Sequence, residues 1–271
     1  MSSDTHSFHW SSASRSHPGR VREHNEDACL DQSDQGLWAV ADGMGGHTLG
    51  EFASVLAVHG LMNLPAADDP ASGSCALEQR VTAAVDRLRE VNRRLRAEAR
   101  WRHVPLIGTT IAVLVAAGRY CSCLWAGDSR IYLFRDGQLR QLTRDHSHLE
   151  AVRSKYVSCS DDTLARPRKN LITRALGGED TLDVDRTNVE LSDGDTFLLC
   201  TDGLSNEVSD PSIKQALLPG ICGMACDALF DLALEREARD NITAVVVRAE
   251  DLSSPNRTLI QRVATDTARQ L

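Results

Sequence analysis

The sequence predicts an α+β protein, with antiparallel β-sheets packed against helices in one domain. Three observations carry this. Short runs rich in β-branched and aromatic residues recur along the chain, as half-buried strands do. Hairpin signals join several of them. Helices and hairpins are grouped rather than alternating one to one, which argues against a doubly wound parallel sheet. The 271 residues suffice for a sizeable core.

In chain order, residues 1–16 are polar and rich in Ser and His, and read as a loose lead-in. GLWAVA (36–41) is the first strong strand, and Leu49 to Leu64 reads as a helix. Pro65 to Ser74, PAADDPASGS, is a loop signal. From Leu77 an apolar stripe runs through Val81, Ala84, Leu88, Val91 and Leu95, which is one face of an amphipathic helix. Its arginines (87, 89, 93, 94 and 96) read as a solvated face rather than a phosphate-binding patch. TTIAVLVA (109–116), RYCSCLWA (119–126), RIYLF (130–134), TFLLC (196–200) and ITAVVV (242–247) are further strands. Asp136-Gly137 between RIYLFR and QLRQLT is a strong hairpin signal, and Gly118 suggests a second. There is no internal repeat.

Composition narrows the function. A net charge of −8 argues against nucleic acid as a partner, because phosphate backbones are bound through clustered Lys and Arg. The longest clean apolar run, Ile111 to Ala117, is far too short for a bilayer span, and the first 20 residues lack the apolar core of a signal peptide. A soluble, cytoplasmic protein is expected. The eight cysteines (29, 75, 121, 123, 159, 200, 222 and 226) form no CxxC pair and read as buried hydrophobes in a reducing compartment.

Carboxylates recur at strand ends. Asp42 follows GLWAVA, Asp128 follows RYCSCLWAG, Asp202 follows TFLLCT, Asp240 precedes the last strand, and Glu26 and Asp27 precede the first. Ionised carboxylates at such positions are costly unless paired or metal-bound, and few basic residues stand beside them. Oxygen-only donors point to hard cations, Mg²⁺ or Mn²⁺. Any one Asp-Gly pair is an ordinary turn signal; the set carries the argument. Gly43 would let its carbonyl approach an ion closely.

The ordered series GRVREHNEDA (19–28), ADGMGGH (41–47), GTT (108–110), AGDSR (126–130), TRALG (173–177), CTDGLS (200–205) and RDNIT (239–243) resembles the bacterial metal-dependent type 2C protein serine/threonine phosphatases. The resemblance covers residues 17–250, with a flap at about 143–170 and a tail, 251–271, to which no role is assigned. It implies a four-layer αββα sandwich of two antiparallel sheets flanked by helices. It also implies hydrolysis of phosphoserine and phosphothreonine by a metal-activated water, with two Mn²⁺ or Mg²⁺ ions in the core site. By position, Asp42 bridges both ions, the Gly43 carbonyl binds one, and Asp202 and Asp240 bind the other. Glu26 and Asp27 hold metal-bound waters, and Asp128, shared with Asp202, serves a third, weaker site. Arg22 binds the substrate phosphate, for which a guanidinium fork is well suited.

Met44 stands where eukaryotic members carry a catalytic His, so the leaving-group acid is left open. His47 reads as a helix cap, Asn170 as a loop residue, Arg174 as a flap anchor and Cys200 as core. The middle of the flap, AVRSKYVSCSDDTLA, departs from the common bacterial pattern. GLWAVADGMGGH is similar to phosphatases that oppose a threonine kinase in bacterial type VI secretion. The implied partner is a phosphorylated protein, the kinase itself or a forkhead-associated-domain protein, acted on by a monomer. Two other readings stand beside this one: a pseudophosphatase that binds phosphoproteins without hydrolysing them, and a hydrolase of small phosphate esters.

Overall fold

The structure, a computed structural model, describes residues 8–46, 48–65, 73–148, 150 and 172–253. Two antiparallel sheets form its centre. The first runs, in spatial order, β1 (Phe8–His17), β11 (Ile242–Asp251), β10 (Thr196–Cys200), β7 (Arg130–Arg135) and β8 (Gln138–Gln141). The second runs β2 (Asp27–Gln32), β3 (Leu37–Met44), β5 (Ile111–Ala117), β6 (Tyr120–Ala126) and β9 (Asp185–Glu190), and the two-residue β4 (Gly108–Thr109) pairs with the end of β3.

The strands are apolar on both faces because both faces are covered. In β3, Leu37, Ala39 and Ala41 pack under α1 (Thr48–Leu61) and α2 (Gly73–Arg102), while Trp38 and Val40 enter the core between the sheets. In β11, Val245, Val247 and Ala249 face that same inner core. Ile242, Ala244 and Val246 instead meet α4 (Asp210–Leu217) and α5 (Cys222–Leu234), which follow a single helical turn, α3 (Asp202–Ser205). Period-two alternation thus builds three apolar layers between four layers of structure, the expected αββα sandwich.

The expected stripe of α2 is buried throughout, from Leu77 to Leu95. Three of its arginines have partners nearby: Arg89 on Asp86 at 3.3 Å, Arg93 on Glu90, and Arg87 on the Asn63 carbonyl at 2.9 Å. Asp136 and Gly137 both take positive φ (49° and 70°), the geometry of the tight hairpin turn that joins β7 to β8. The loop expected over 65–74 lies mostly outside the described residues, and α2 already begins at Gly73.

One expectation is corrected. The supposed lead-in, residues 1–16, is over Phe8–His17 a ten-residue strand paired along its whole length with β11. Its Ser-rich sequence hides it, because an edge strand needs only a few anchors facing inward. Phe8 and Trp10, two apart, reach the inner core, and Trp10 packs on Trp38 with ring centroids 4.9 Å apart. The polar edge strand β9 and the helices α4 and α5 were not anticipated.

Trp38 is fully buried between the sheets. Trp38→Ala should lower the unfolding free energy by about 3–5 kcal/mol, read from denaturant melts at unchanged m-value. A loss under about 1 kcal/mol would mean that the sheets do not depend on this ring for their packing.

Candidate metal centre

Antiparallel pairing gathers the acidic strand ends. Asp27 opens β2 directly opposite Asp42 in β3, and Asp202 starts the helical turn that follows β10. Because the sheets lie face to face, these ends meet at one margin of the sandwich. Arg22, Glu26, Asp42, Gly43, Asp128, Asp202 and Asp240 line a single cavity there of about 770 Å³. Asp27, the remaining candidate, is not among the lining residues and is buried, 7% exposed, opposite Asp42.

Backbone and hydroxyl contacts position these groups. The Asp42 amide donates to Thr110 Oγ1 at 3.0 Å, and the Asp42 carbonyl accepts from the Thr110 amide and from Thr109 Oγ1, both at 2.9 Å. This is what the GTT segment does. Thr110 in turn shares a hydrogen bond of 2.7 Å with Ser129, next to Asp128. Thr201 Oγ1 donates to Asp27 Oδ2 at 2.8 Å, a contact between the two sheets.

The glycines that follow two of the aspartates are close-approach glycines. A Cβ on Gly43 would stand 2.1 Å from the Gly50 carbonyl oxygen, and one on Gly203 would stand 2.0 Å from that of Asn241. Gly50 serves Glu26 in the same way, since a Cβ there would meet Glu26 Oε2 at 2.0 Å. Gly45 and Gly46, at φ 140° and 83°, turn the chain toward α1.

Asn241 did not stand out in the sequence, although it sits inside RDNIT. The residue is 6% exposed; its Oδ1 accepts from the Glu26 amide at 2.8 Å, and Nδ2 donates to the carbonyls of Pro18 (3.0 Å) and His24 (2.9 Å). One side chain thereby fixes the segment that carries Arg22 and Glu26. Arg22 Nη2 donates to Asp240 Oδ2 at 3.0 Å, which holds the guanidinium at the cavity. Asp128 has Arg130 two residues on, but that guanidinium is engaged by Asp145, with contacts of 2.7 to 3.1 Å.

The electrostatics show what is missing from this set. Burial, reinforced by neighbouring carboxylates, pushes Asp27 and Asp128 up to about 7, and raises Asp202 and, still more strongly, Asp42. Asp27 Oδ1, Asp128 Oδ1 and Asp202 Oδ1 are buried with no hydrogen-bond partner. Such atoms are expensive to keep unless a cation meets them. Among the described residues, no three metal-binding side chains are closed on one point as a finished ion site. Asp240 is engaged by Arg22. The open oxygens and the all-oxygen donor set nonetheless fit hard divalent cations. His47, Asn170 and the middle of the flap lie outside the described residues.

A family model described as Protein phosphatase 2C matches residues 15–244. The chain belongs to this metal-dependent family. It is 36% identical over 240 residues to the serine/threonine protein phosphatase PstP of Mycobacterium tuberculosis, covering 88% of this chain. It spans only 45% of that protein's length. It is 35% identical over 250 residues to the serine/threonine phosphatase stp of Listeria monocytogenes, covering 90% of this chain and 97% of that one. Among solved structures, PppA, described as a key regulatory component of T6SS in Pseudomonas aeruginosa, is similar at TM-score 0.80 and 42% identity, covering 89% of this chain and 98% of that one. The catalytic domain of PstP in complex with two manganese ions is similar at TM-score 0.76 and 33% identity, covering 90% and 100% of the two chains.

The raised carboxylates make a prediction about pH. Folded Asp27 and Asp128 hold their protons to about 7, against an ordinary value of 3.8. The stability they contribute is therefore full below about 3.8 and is lost as pH rises through about 7. In EDTA, urea midpoints should fall between pH 5 and pH 8, and Asp128→Asn should flatten that fall. A wild-type profile that is flat or rises would refute this account of the cavity.

Proposed function

We propose that this protein is a metal-dependent phosphoprotein phosphatase acting on phosphoserine and phosphothreonine. The observation that carries the reading is the single cavity in which buried carboxylate oxygens without partners stand beside an arginine. Asp42, the Gly43 carbonyl, Asp202 and Asp240 would hold a core pair of Mn²⁺ or Mg²⁺ ions. Glu26 and Asp27 would act through bound water, and Asp128 with Asp202 would serve a third ion. When bound, such ions supply Lewis-acid charge and make water a nucleophile near neutral pH.

The chain's own groups do the rest. Arg22 is placed to take two phosphate oxygens through its fork, exchanging the Asp240 carboxylate for the substrate. Thr109 and Thr110 fix the Asp42 backbone from both sides, so its carboxylate need not reorganise as the reaction proceeds. Asn241 does the same for the segment bearing Arg22. Met44 carries no proton to give, so the leaving serine or threonine oxygen is not protonated from the position after Asp42-Gly43.

The substrate is read as a phosphorylated protein of a bacterial Ser/Thr kinase system. The 42% identity to PppA supports a setting in type VI secretion control, with the kinase or a forkhead-associated-domain protein as target. Incubating each of these in phosphorylated form with the protein, and following the phosphate by mass spectrometry, tests that narrower claim.

The activity itself is tested by phosphate release from a phosphothreonine peptide with Mn²⁺, with Mg²⁺ and with EDTA. Turnover should require metal. Asp202→Asn and Asp42→Ala should each lower kcat by at least about a hundredfold while the protein stays folded. Arg22→Ala should lower kcat/KM by about ten- to a hundredfold. Folded protein that binds the peptide but releases no phosphate with either metal would instead establish a pseudophosphatase.

A further inference from the structure

A second cavity, of about 470 Å³, adjoins the first, and Met44 and Ile172 line both. Its apolar lining comes from Pro105, Leu106 and the buried Leu182, and its exposed rim carries Glu179 and Asp183. We propose that this cavity is a specificity subsite, taking a basic side chain that flanks the phosphorylated residue of the substrate. The proposal rests on the phosphatase reading above. A peptide whose phosphoryl group lies beside Arg22 must continue out of the first cavity, and the shared wall at Met44 and Ile172 leads into the second.

The charge of the subsite follows from who is already paired. Arg174 lines it but is engaged by Asp185 at 2.6 Å, and Asp180 is engaged by Arg96. Among the described residues, the carboxylates of Glu179 and Asp183 have no ion pair. Among the described residues, the rim therefore carries two negative charges without an ion pair, over an apolar lining. That combination suits the long apolar stem and cationic head of Lys or Arg.

The wall is also built to stay in place. Asn92 on α2 is 2% exposed; it accepts from the Gly177 amide at 2.6 Å and donates to the Glu179 carbonyl at 3.0 Å. Arg96 donates to the Gly178 carbonyl at 3.0 Å. Leu176 exchanges backbone hydrogen bonds with Thr109, the residue whose hydroxyl also holds the Asp42 carbonyl. The loop that carries the acidic rim is thus held mainly by α2, with Thr109 as its one link among these contacts to the candidate metal centre.

The test uses the full chain with Mn²⁺, p-nitrophenyl phosphate as a substrate too small to reach the subsite, and phosphothreonine peptides. A single Arg, or Glu as its matched control, is moved along each side of the phosphothreonine. At the favoured position the Arg peptide should exceed its Glu control in kcat/KM by about three- to tenfold, as expected for exposed charge pairs. In the double variant Glu179→Gln, Asp183→Asn that ratio should fall to near one, with p-nitrophenyl phosphate turnover unchanged. A ratio near one in the wild type, or one that survives in the variant, would overturn the subsite and leave the phosphatase reading standing. If neither substrate is hydrolysed, the phosphatase reading fails by itself. Peptide affinities from fluorescence anisotropy then decide the subsite: the same gap in Kd between the Arg and Glu peptides supports it, and equal affinities overturn it.

Discussion

Repulsion among desolvated carboxylates is the constraint on which this margin of the sandwich depends. Asp27, Asp42, Asp128 and Asp202 are brought together from both sheets, and each is pushed toward its neutral form by burial first and by its neighbours second. A protein gains no stability from such an arrangement in itself, since buried like charges cost more than any packing they replace. The nearby guanidinium that would relieve Asp128 is engaged by Asp145. What the fold leaves open is a demand for divalent charge, and metal affinity is the other side of that cost.

The demand is kept in place by groups that are themselves uncharged. Thr109 and Thr110 grip the Asp42 backbone, Thr201 ties Asp27 across the sheets, and Asn241 holds the segment bearing Arg22. Neutral hydrogen bonds suit this task because they add no charge to a site already crowded with it. The glycines have a related logic. At Gly43, Gly50 and Gly203 a single methyl group would collide with backbone or with the Glu26 carboxylate, so absence of a side chain is what brings the strand ends within reach of one another.

Much of this was legible in the sequence, and the gaps have physical reasons. The strands of the inner core read clearly because their alternate residues fill two different apolar layers, which leaves near-continuous runs such as IAVLVAA. The edge strand β1 did not, because only Phe8 and Trp10 needed to be large and apolar. The acidic residues could be named because charge at a strand end is conspicuous. Asn241 and Asn92 could not, since an amide gains its meaning only from the three-dimensional position of the carbonyls and amides it meets. No pattern in sequence marks that a residue on α2 will hold a loop 85 positions further on.

That long-range tie bears on how the two cavities relate. Asn92 sits in the middle of a helix whose apolar stripe is sunk into the second sheet, so its position is set by core packing. Through Gly177 and Glu179 it fixes the acidic rim, and through the Leu176–Thr109 bridge the same loop meets the strand end that carries Asp42. A shift of α2 would therefore displace the rim relative to the candidate metal centre, whereas the metal centre itself is gripped by residues at strand ends, Thr109, Thr110, Thr201 and Asn241. Apart from that bridge, chemistry and selection thus rest on separate supports. The candidate ligands lie in strands or immediately beside their ends, and the discriminating charges belong to an exposed loop. Substitutions at Glu179 or Asp183 can change which peptide is preferred without disturbing a single carboxylate of the cavity beside them.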